Sequence, residues 1–382
     1  MTPDGTLTVL EHLIAYPTIA GQPNGELVAE VAERLERTGA AVTILPAHRD
    51  DAQNLHAVLG PSDAPGGLLL AAHSDVVAVD GQPWTHDPFA LHIEHGRAYG
   101  RGTADMKGFL AAALTAMAEV DHRRLRRPLH LALSSDEELG CRGVRPLLDT
   151  LAGLPVPPAA AVVGEPTMLR VAERHKGKAA ARVHVRGRAV HSSVASRGVN
   201  AVVFASRLIT GLLDLQDELA AEAQDSGYAA PHATIGIGPI CGGVSVNIVP
   251  DRCRLDVEVR ALPEQSPDDL MGRMRARAAP LEAEMRAVHP EAAIAFEPLA
   301  SYPGLRPAPD PRFAREVAGG EAAVAVDFGT EAGLYQQKLG IPVVVCGPGD
   351  MAQAHQADEF IAVDQLTRGE DFIRGLAQRL YG

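Results

Sequence analysis

His73-Ser74-Asp75, Asp105, Asp136-Glu137-Glu138, Glu165 and Ala354-His355 are the segments of this 382-residue sequence whose side chains could do chemistry together. Imidazole nitrogens and carboxylate oxygens are donors that zinc, cobalt or manganese accept. Each segment also has a reading without a metal. His73 could be a hydrogen-bonded loop residue. Asp75, two residues on, can point the same way, and its carboxylate could accept the other imidazole N–H and fix the tautomer. Asp105 follows Gly100-Arg101-Gly102-Thr103-Ala104 and opens a helical stretch, so it could equally cap that helix. A phosphate loop does not fit those glycines, because no G-x-x-x-x-G-K-[ST] and no strand-borne G-x-G-x-x-G is present. Asp136-Glu137-Glu138 could be a solvated acidic turn. Adjacent carboxylates repel unless they are solvated or face cations. Facing cations they would divide the labour, Glu138 binding metal and Glu137 moving a proton. Glu165 stands between Gly164 and Pro166, a rigid setting that suits positioning.

What must bring these segments together is a sheet. Residues 68–72, 129–133, 160–163 and 341–345 are short apolar runs, each ending abruptly in polar or metal-competent residues. Such runs predict buried strands. Helical patterns at 6–16, 26–38 and 105–120 lie among them. The alternation predicts an α/β fold with a mostly parallel sheet. Ligands of such sheets bind beyond the carboxyl ends of strands, which is where His73, Glu138 and Glu165 fall.

Residues 178–293 read differently. An alternating strand at 180–185, a long helix at 200–223, strands near 232–240 and 247–260, a helix from Ser266 to about 287 and a strand at 292–299 give the order β-α-β-β-α-β. That order is ferredoxin-like. The predicted organisation is a catalytic domain at 1–178 and 294–382, interrupted by an inserted lid or dimerisation domain at 179–293.

Composition narrows the classes. A net charge of −13 argues against nucleic acid as a partner. The basic run at 122–127 reads as a solvated connection. Cys141, Cys241, Cys253 and Cys346 are far apart and form no C-x-x-C pair, so free buried thiols in a reducing compartment are expected. No basic leader and no apolar run of about 18 residues occurs, so a cytoplasmic protein without a membrane span is expected.

The five segments, with Gly102-Thr103-Ala104-Asp105-Met106-Lys107-Gly108, Gly164-Glu165-Pro166 and Asp358-Glu359, occur in one order along residues 66–364. In that order the chain resembles the zinc-dependent family of acetylornithine deacetylase, succinyl-diaminopimelate desuccinylase, aminoacylase and glutamate-releasing carboxypeptidase. The likeness is closest to the acetylornithine deacetylase branch. It is carried by Trp84-Thr85-His86-Asp87-Pro88-Phe89, His175-Lys176-Gly177, His191-Ser192-Ser193, Arg197-Gly198-Val199-Asn200-Ala201 and Gly329-Thr330-Glu331-Ala332.

The resemblance implies a di-zinc exopeptidase-type catalytic domain holding two Zn2+, with Co2+ or Mn2+ as substitutes. Asp105 would bridge both ions, His73 and Glu165 would complete one site, and Glu138 and His355 the other. Glu137 would be the general base and Asp75 the partner behind His73, and the bond after Asp105 could be cis. His191 would reach across a homodimer built through the inserted domain. Asn247, Arg260 and Thr330 would contact substrate, although a surface-loop histidine, a surface salt bridge and a helix cap are the plain alternatives for His191, Arg260 and Thr330. The implied reaction is hydrolysis of an N-acyl amino acid, N2-acetyl-L-ornithine foremost, in arginine biosynthesis. A desuccinylase, aminoacylase or dipeptidase of the same family is the alternative, and a non-catalytic dimer that binds amino-acid derivatives is a remoter one. A single-metal aminopeptidase lacks its H-E-x-x-H here.

Overall fold

The computed structural model describes residues 5–381. Leu68–His73 and Leu129–Ser134 are buried at every position. A strand with no polar face belongs inside a sheet covered on both sides. The two pair in parallel, Leu68 beside Leu129 and His73 beside Ser134. Ala160–Pro166 adds in parallel to Leu68–His73, and Val343–Gly347 in parallel to Ala160–Pro166. These four strands form the middle of an eight-stranded sheet. Gln53–Leu59 and then Ala41–Pro46 extend it from Leu129–Ser134, each antiparallel to its neighbour, so Ala41–Pro46 runs with the central four. Ala172–His175 pairs antiparallel with Val343–Gly347, and Val324–Val326 lies outermost. The sheet is mixed with a parallel centre, and the α/β class predicted from the strand runs is the one found.

The helix Lys107–Glu119 is buried from Lys107 to Met117, as befits a helix apolar nearly all round. Its Phe109 ring lies against Gly164, where an added Cβ would stand 2.0 Å from the ring. Only glycine allows that approach, and the approach sets the helix against the strand carrying Glu165. The helix was expected to begin at Asp105. It begins at Lys107 with Met106 in the cap position, which frees the Asp105 side chain from capping.

Residues divide into two compact units, one holding the chain up to Arg174, Leu305–Val324 and the chain from Thr330 on, the other His175–Gly304 and Ala325–Gly329. The second unit runs Gly177–Arg186, helix Ala201–Glu222, Thr234–Gly242, Arg252–Ala261, helix Pro267–Val288, Ala293–Tyr302. Its four strands pair antiparallel, in the spatial order Thr234–Gly242, Arg252–Ala261, Gly177–Arg186, Ala293–Tyr302. This is the ferredoxin-like arrangement. Alternate residues Ala179, Ala181, Val183 and Val185 face a core shared with Leu208, Leu212, Leu215 and Met274. Asn200 and Ser266 cap the two helices by accepting backbone N–H groups, Asn200 standing just before the helix it was expected to begin.

The cysteines are free, but only three are buried; Cys241 is exposed, against expectation, because it lies on the outer strand of the four-stranded sheet. No helix among the described residues is long and apolar enough to cross a membrane.

Candidate metal centre

His73 is the last residue of its strand, and Glu165 lies at the end of Ala160–Pro166. Asp105 precedes the buried helix, Glu138 follows Leu129–Ser134, and His355 follows Val343–Gly347 after a loop. These five side chains converge. His73 Nε2 is 3.0 Å from Asp105 Oδ1, and His355 Nε2 is 3.1 Å from Asp105 Oδ2. One carboxylate therefore faces an imidazole with each oxygen. His355 Nε2 also lies 3.0 Å from Glu138 Oε1, and His73 Nε2 3.7 Å from Glu165 Oε1. Donor atoms of His73, Asp105 and Glu138 lie within 4.8 Å of one another, as do those of His73, Glu137 and Glu165. The peptide bond between Asp105 and Met106 is cis.

The three consecutive acids have separate surroundings. Asp136 points away, accepting from Arg49 Nε (2.9 Å) and Gly21 N (2.7 Å). Glu137 accepts a hydrogen bond from the Cys141 thiol at 3.2 Å. Asp75 Oδ1 and Oδ2 accept the backbone N–H groups of Glu137 and Glu138, both at 3.0 Å. The second nitrogen of His73 is nearer the Asp75 main-chain oxygen (2.9 Å) than its carboxylate (3.6 Å). Asp75 thus steers His73 through its backbone and the acid pair through its side chain. Ser74 and Ser135 serve structure, donating to Ser134 O and Asn54 Oδ1.

Four carboxylates against two imidazoles leave a surplus of negative charge in a buried place. Burial, then the Asp75 and Asp105 charges, push Glu137 up to about 7 although His73 pulls it down. Burial and Asp105 push Glu138 up to about 8. Hydrogen bonds to Asp105 and Glu138 raise His355 to about 10. Burial opposes charge on His73, yet Asp105, Glu165 and Asp75 hold its proton well above the ordinary range. Divalent cations would offset that surplus of negative charge, and the nitrogen and oxygen donor set suits such ions.

Supports that spacing alone did not reveal surround the centre. Glu359, buried, accepts the N–H groups of Ala104 (2.9 Å) and Asp105 (3.1 Å) and pairs with buried Arg101 at 2.6 Å. Buried Lys107 donates to Leu13 O (3.0 Å) and Tyr16 O (2.7 Å), and burial lowers it to about 7. Glu331 accepts from Ser134 Oγ at 2.9 Å, and burial followed by the Glu137 charge raises its carboxyl well above the usual range. A charged residue inside an otherwise small or apolar segment, as in Gly100-Arg101-Gly102, is the one sequence signal they carry.

The remaining candidates are placed as follows. Thr330, buried in the first unit, accepts the N–H of Ala332 at 3.0 Å at the start of the helix Ala332–Leu339. His191, Asn247 and Arg260 lie in the second unit. His191 is exposed at the head of a 3-10 turn and bonded to Ser193. Asn247 is exposed and accepts from Ser245 Oγ at 2.6 Å. Arg260 is partly buried, 3.1 Å from Glu258 and 3.5 Å from the Tyr302 hydroxyl.

Residues 69–379 match the model of Peptidase family M20/M25/M40. The acetylornithine deacetylase of Pasteurella multocida (strain Pm70) is 32% identical over 389 residues, covering 98% of this chain and 97% of that protein. That of Proteus mirabilis (strain HI4320) is 34% identical over 370 residues, covering 93% and 91%. The M20 family metallo-carboxypeptidase Sso-CP2 from Sulfolobus solfataricus shares the fold, with a TM-score of 0.78 at 20% identity over 99% of both chains.

Proposed function

The chain belongs to peptidase family M20/M25/M40, and from that premise we propose that it hydrolyses the amide bond of an N-acyl amino acid, converting N2-acetyl-L-ornithine and water to L-ornithine and acetate. The substrate is taken from the relatives of about one-third identity that carry that name. Such a step belongs to arginine biosynthesis in the cytoplasm. The observation that carries the reaction type is Asp105, one carboxylate with an imidazole on each oxygen. That is the arrangement of a ligand shared between two ions.

Asp105 would be the shared ligand, with His73 and Glu165 holding one ion and Glu138 and His355 the other. Zinc is the proposed ion, with cobalt or manganese as substitutes. Held there, two such cations would supply polarisation of the amide carbonyl and a water that is nucleophilic at neutral pH. Glu137 takes a proton from the attacking water as its oxygen bonds to the carbonyl carbon. When the C–N bond breaks, Glu137 returns that proton to the nitrogen. A carboxylate can act first as base and then as acid in this way. Asp75 holds the backbone of Glu137 and so aims its carboxylate.

His191, Asn247, Arg260 and Thr330 are assigned to the substrate, Arg260 to its α-carboxylate and His191 to the oxyanion across a homodimer. The second unit is assigned the roles of lid and dimer contact. Supporting the contact, Thr234–Gly242 is an outer strand, and Val244 (86% exposed) and Val246 (100% exposed) follow it. Outer strands and exposed apolar side chains are where copies of a chain pair.

Comparing kcat/KM across N-acetyl, N-succinyl and dipeptide substrates of several amino acids tests the substrate. N2-acetyl-L-ornithine is expected to lead. A higher value for a succinylated diamino acid or a dipeptide would replace the substrate and leave the chemistry standing.

A further inference from the structure

Among the described residues one further group of metal-competent side chains converges outside the centre: His86, His92 and Glu94. His92 and Glu94 lie two residues apart on the strand His92–Glu94 and so share a face. The strand is the outer member of a three-stranded sheet with Arg97–Tyr99 and Phe360–Ala362. Both side chains are accessible, His92 at 38% and Glu94 at 52%. His86, from the preceding loop, lays its ring on that of His92, with centroids 3.9 Å apart and planes at 22°. One ring nitrogen of each imidazole and one oxygen of Glu94 lie within 4.8 Å of one another. Glu94 Oε2 is 3.8 Å from His92 Nε2, and its Oε1 is 3.6 Å from His95 Nδ1. Arg97, opposite Glu94 in the ladder, has its guanidinium 4.4 Å over the Phe360 ring.

We propose that His86, His92 and Glu94 bind a divalent transition-metal ion, separate from the ions assigned to Asp105. Two imidazoles and one carboxylate are a known three-ligand set for zinc, with the fourth position open to water. Donors about 2.0–2.2 Å from a tetrahedral ion stand roughly 3.3 Å apart. Binding would require the stacked rings to turn so that their nitrogens converge, a rotation that the accessible His92 and Glu94 side chains on this outer strand leave room for. Imidazole donors select zinc, copper or nickel over magnesium and calcium. With three exposed donors the site is weaker than a buried centre. Its ion would tie the loop at His86 to the hairpin. That loop also meets the His355 segment: Thr85 donates twice to Asp358 Oδ1 (2.9 and 3.0 Å), and Gln82 Nε2 donates to the His355 main-chain oxygen at 3.0 Å.

The inference is independent of the function proposed above, and its test keeps the two apart. The full chain, stripped of metal, is titrated with zinc by calorimetry and by equilibrium dialysis, beside His86→Ala/His92→Ala. The wild type is expected to bind one ion more than the variant, in the weaker phase. Glu94→Gln should weaken that phase at least tenfold. Magnesium should produce no such phase. Equal zinc stoichiometry in wild type and double variant overturns the site, and magnesium filling it overturns the imidazole assignment. A failed two-metal centre would instead remove the tight phase from both proteins and leave the difference of one ion.

Discussion

The Asp105 carboxylate spends an oxygen on each imidazole, so the two halves of the centre meet in one side chain. Asp105→Ala should therefore lose both tightly held ions, whereas His355→Ala should lose one. Metal analysis after gel filtration reads this, and loss of a single ion in both variants would contradict the sharing. The residue types and their order were legible in the sequence because strand ends bring them together. Which atom meets which was not. Asp75 reads as the partner of His73, yet its carboxylate holds two backbone N–H groups, a pairing no side-chain pattern encodes. The pairing of Glu359 with Arg101 is equally silent in sequence, since 258 positions separate them. Glu359→Gln leaves a buried guanidinium without its counter-charge and should cost about 3–5 kcal/mol. Denaturant unfolding measures that loss. A change below about 1 kcal/mol would show the pair to be dispensable.

At the scale of elements, mostly apolar runs were readable even where one buried polar residue interrupts them, as His130 does in Leu129–Ser134, and Gln53–Leu59 was not. Gln53–Leu59 is buried at most positions but carries Asn54 and His56, which blunt its apolar signal. Structure satisfies them: Asn54 donates to Gly143 O, and His56 Nε2 sits 3.1 Å from Nδ1 of His130 on the neighbouring strand. The two rings stack with centroids 5.3 Å apart. Burial holds His56 at about 4, and burial with the His56 neighbour holds His130 at about 4. Unfolded, both would titrate near 6.5. The unfolded chain then binds more protons between those values, so stability is full above about 6.5 and falls as pH drops toward 4. The pair's share is on the order of a few kcal/mol. His56→Leu/His130→Leu should flatten the fall in unfolding free energy between pH 7 and 5. Identical slopes in variant and wild type would refute this source.

At the scale of the whole molecule, the change from apolar strand runs to an alternating β-α-β-β-α-β segment marked where a second unit would begin. The bounds differ from the expected 179–293, since the unit holds His175–Gly304 and Ala325–Gly329; its two ends meet backbone to backbone, a contact no local pattern encodes, for a Cβ at Gly177 would stand 2.7 Å from Gly304 N. The proposed pairing of second units predicts that the 40.3 kDa chain sediments at about twice that mass. Replacing exposed Val244 and Val246 with lysine should then give monomers, and a chain that is monomeric from the start would remove the dimer contact and the role of His191 across it. The chemistry proposed at Asp105 and Glu137 stands apart from that assembly. Its most direct test is the rate of N2-acetyl-L-ornithine hydrolysis by the zinc-loaded full chain and by Glu137→Ala, with metal content measured on both. The expected result is turnover by the wild type, a fall of about a thousandfold or more in the variant, and two ions in each. A variant as active as the wild type, or a two-zinc wild type that hydrolyses no N-acyl amino acid, would contradict it.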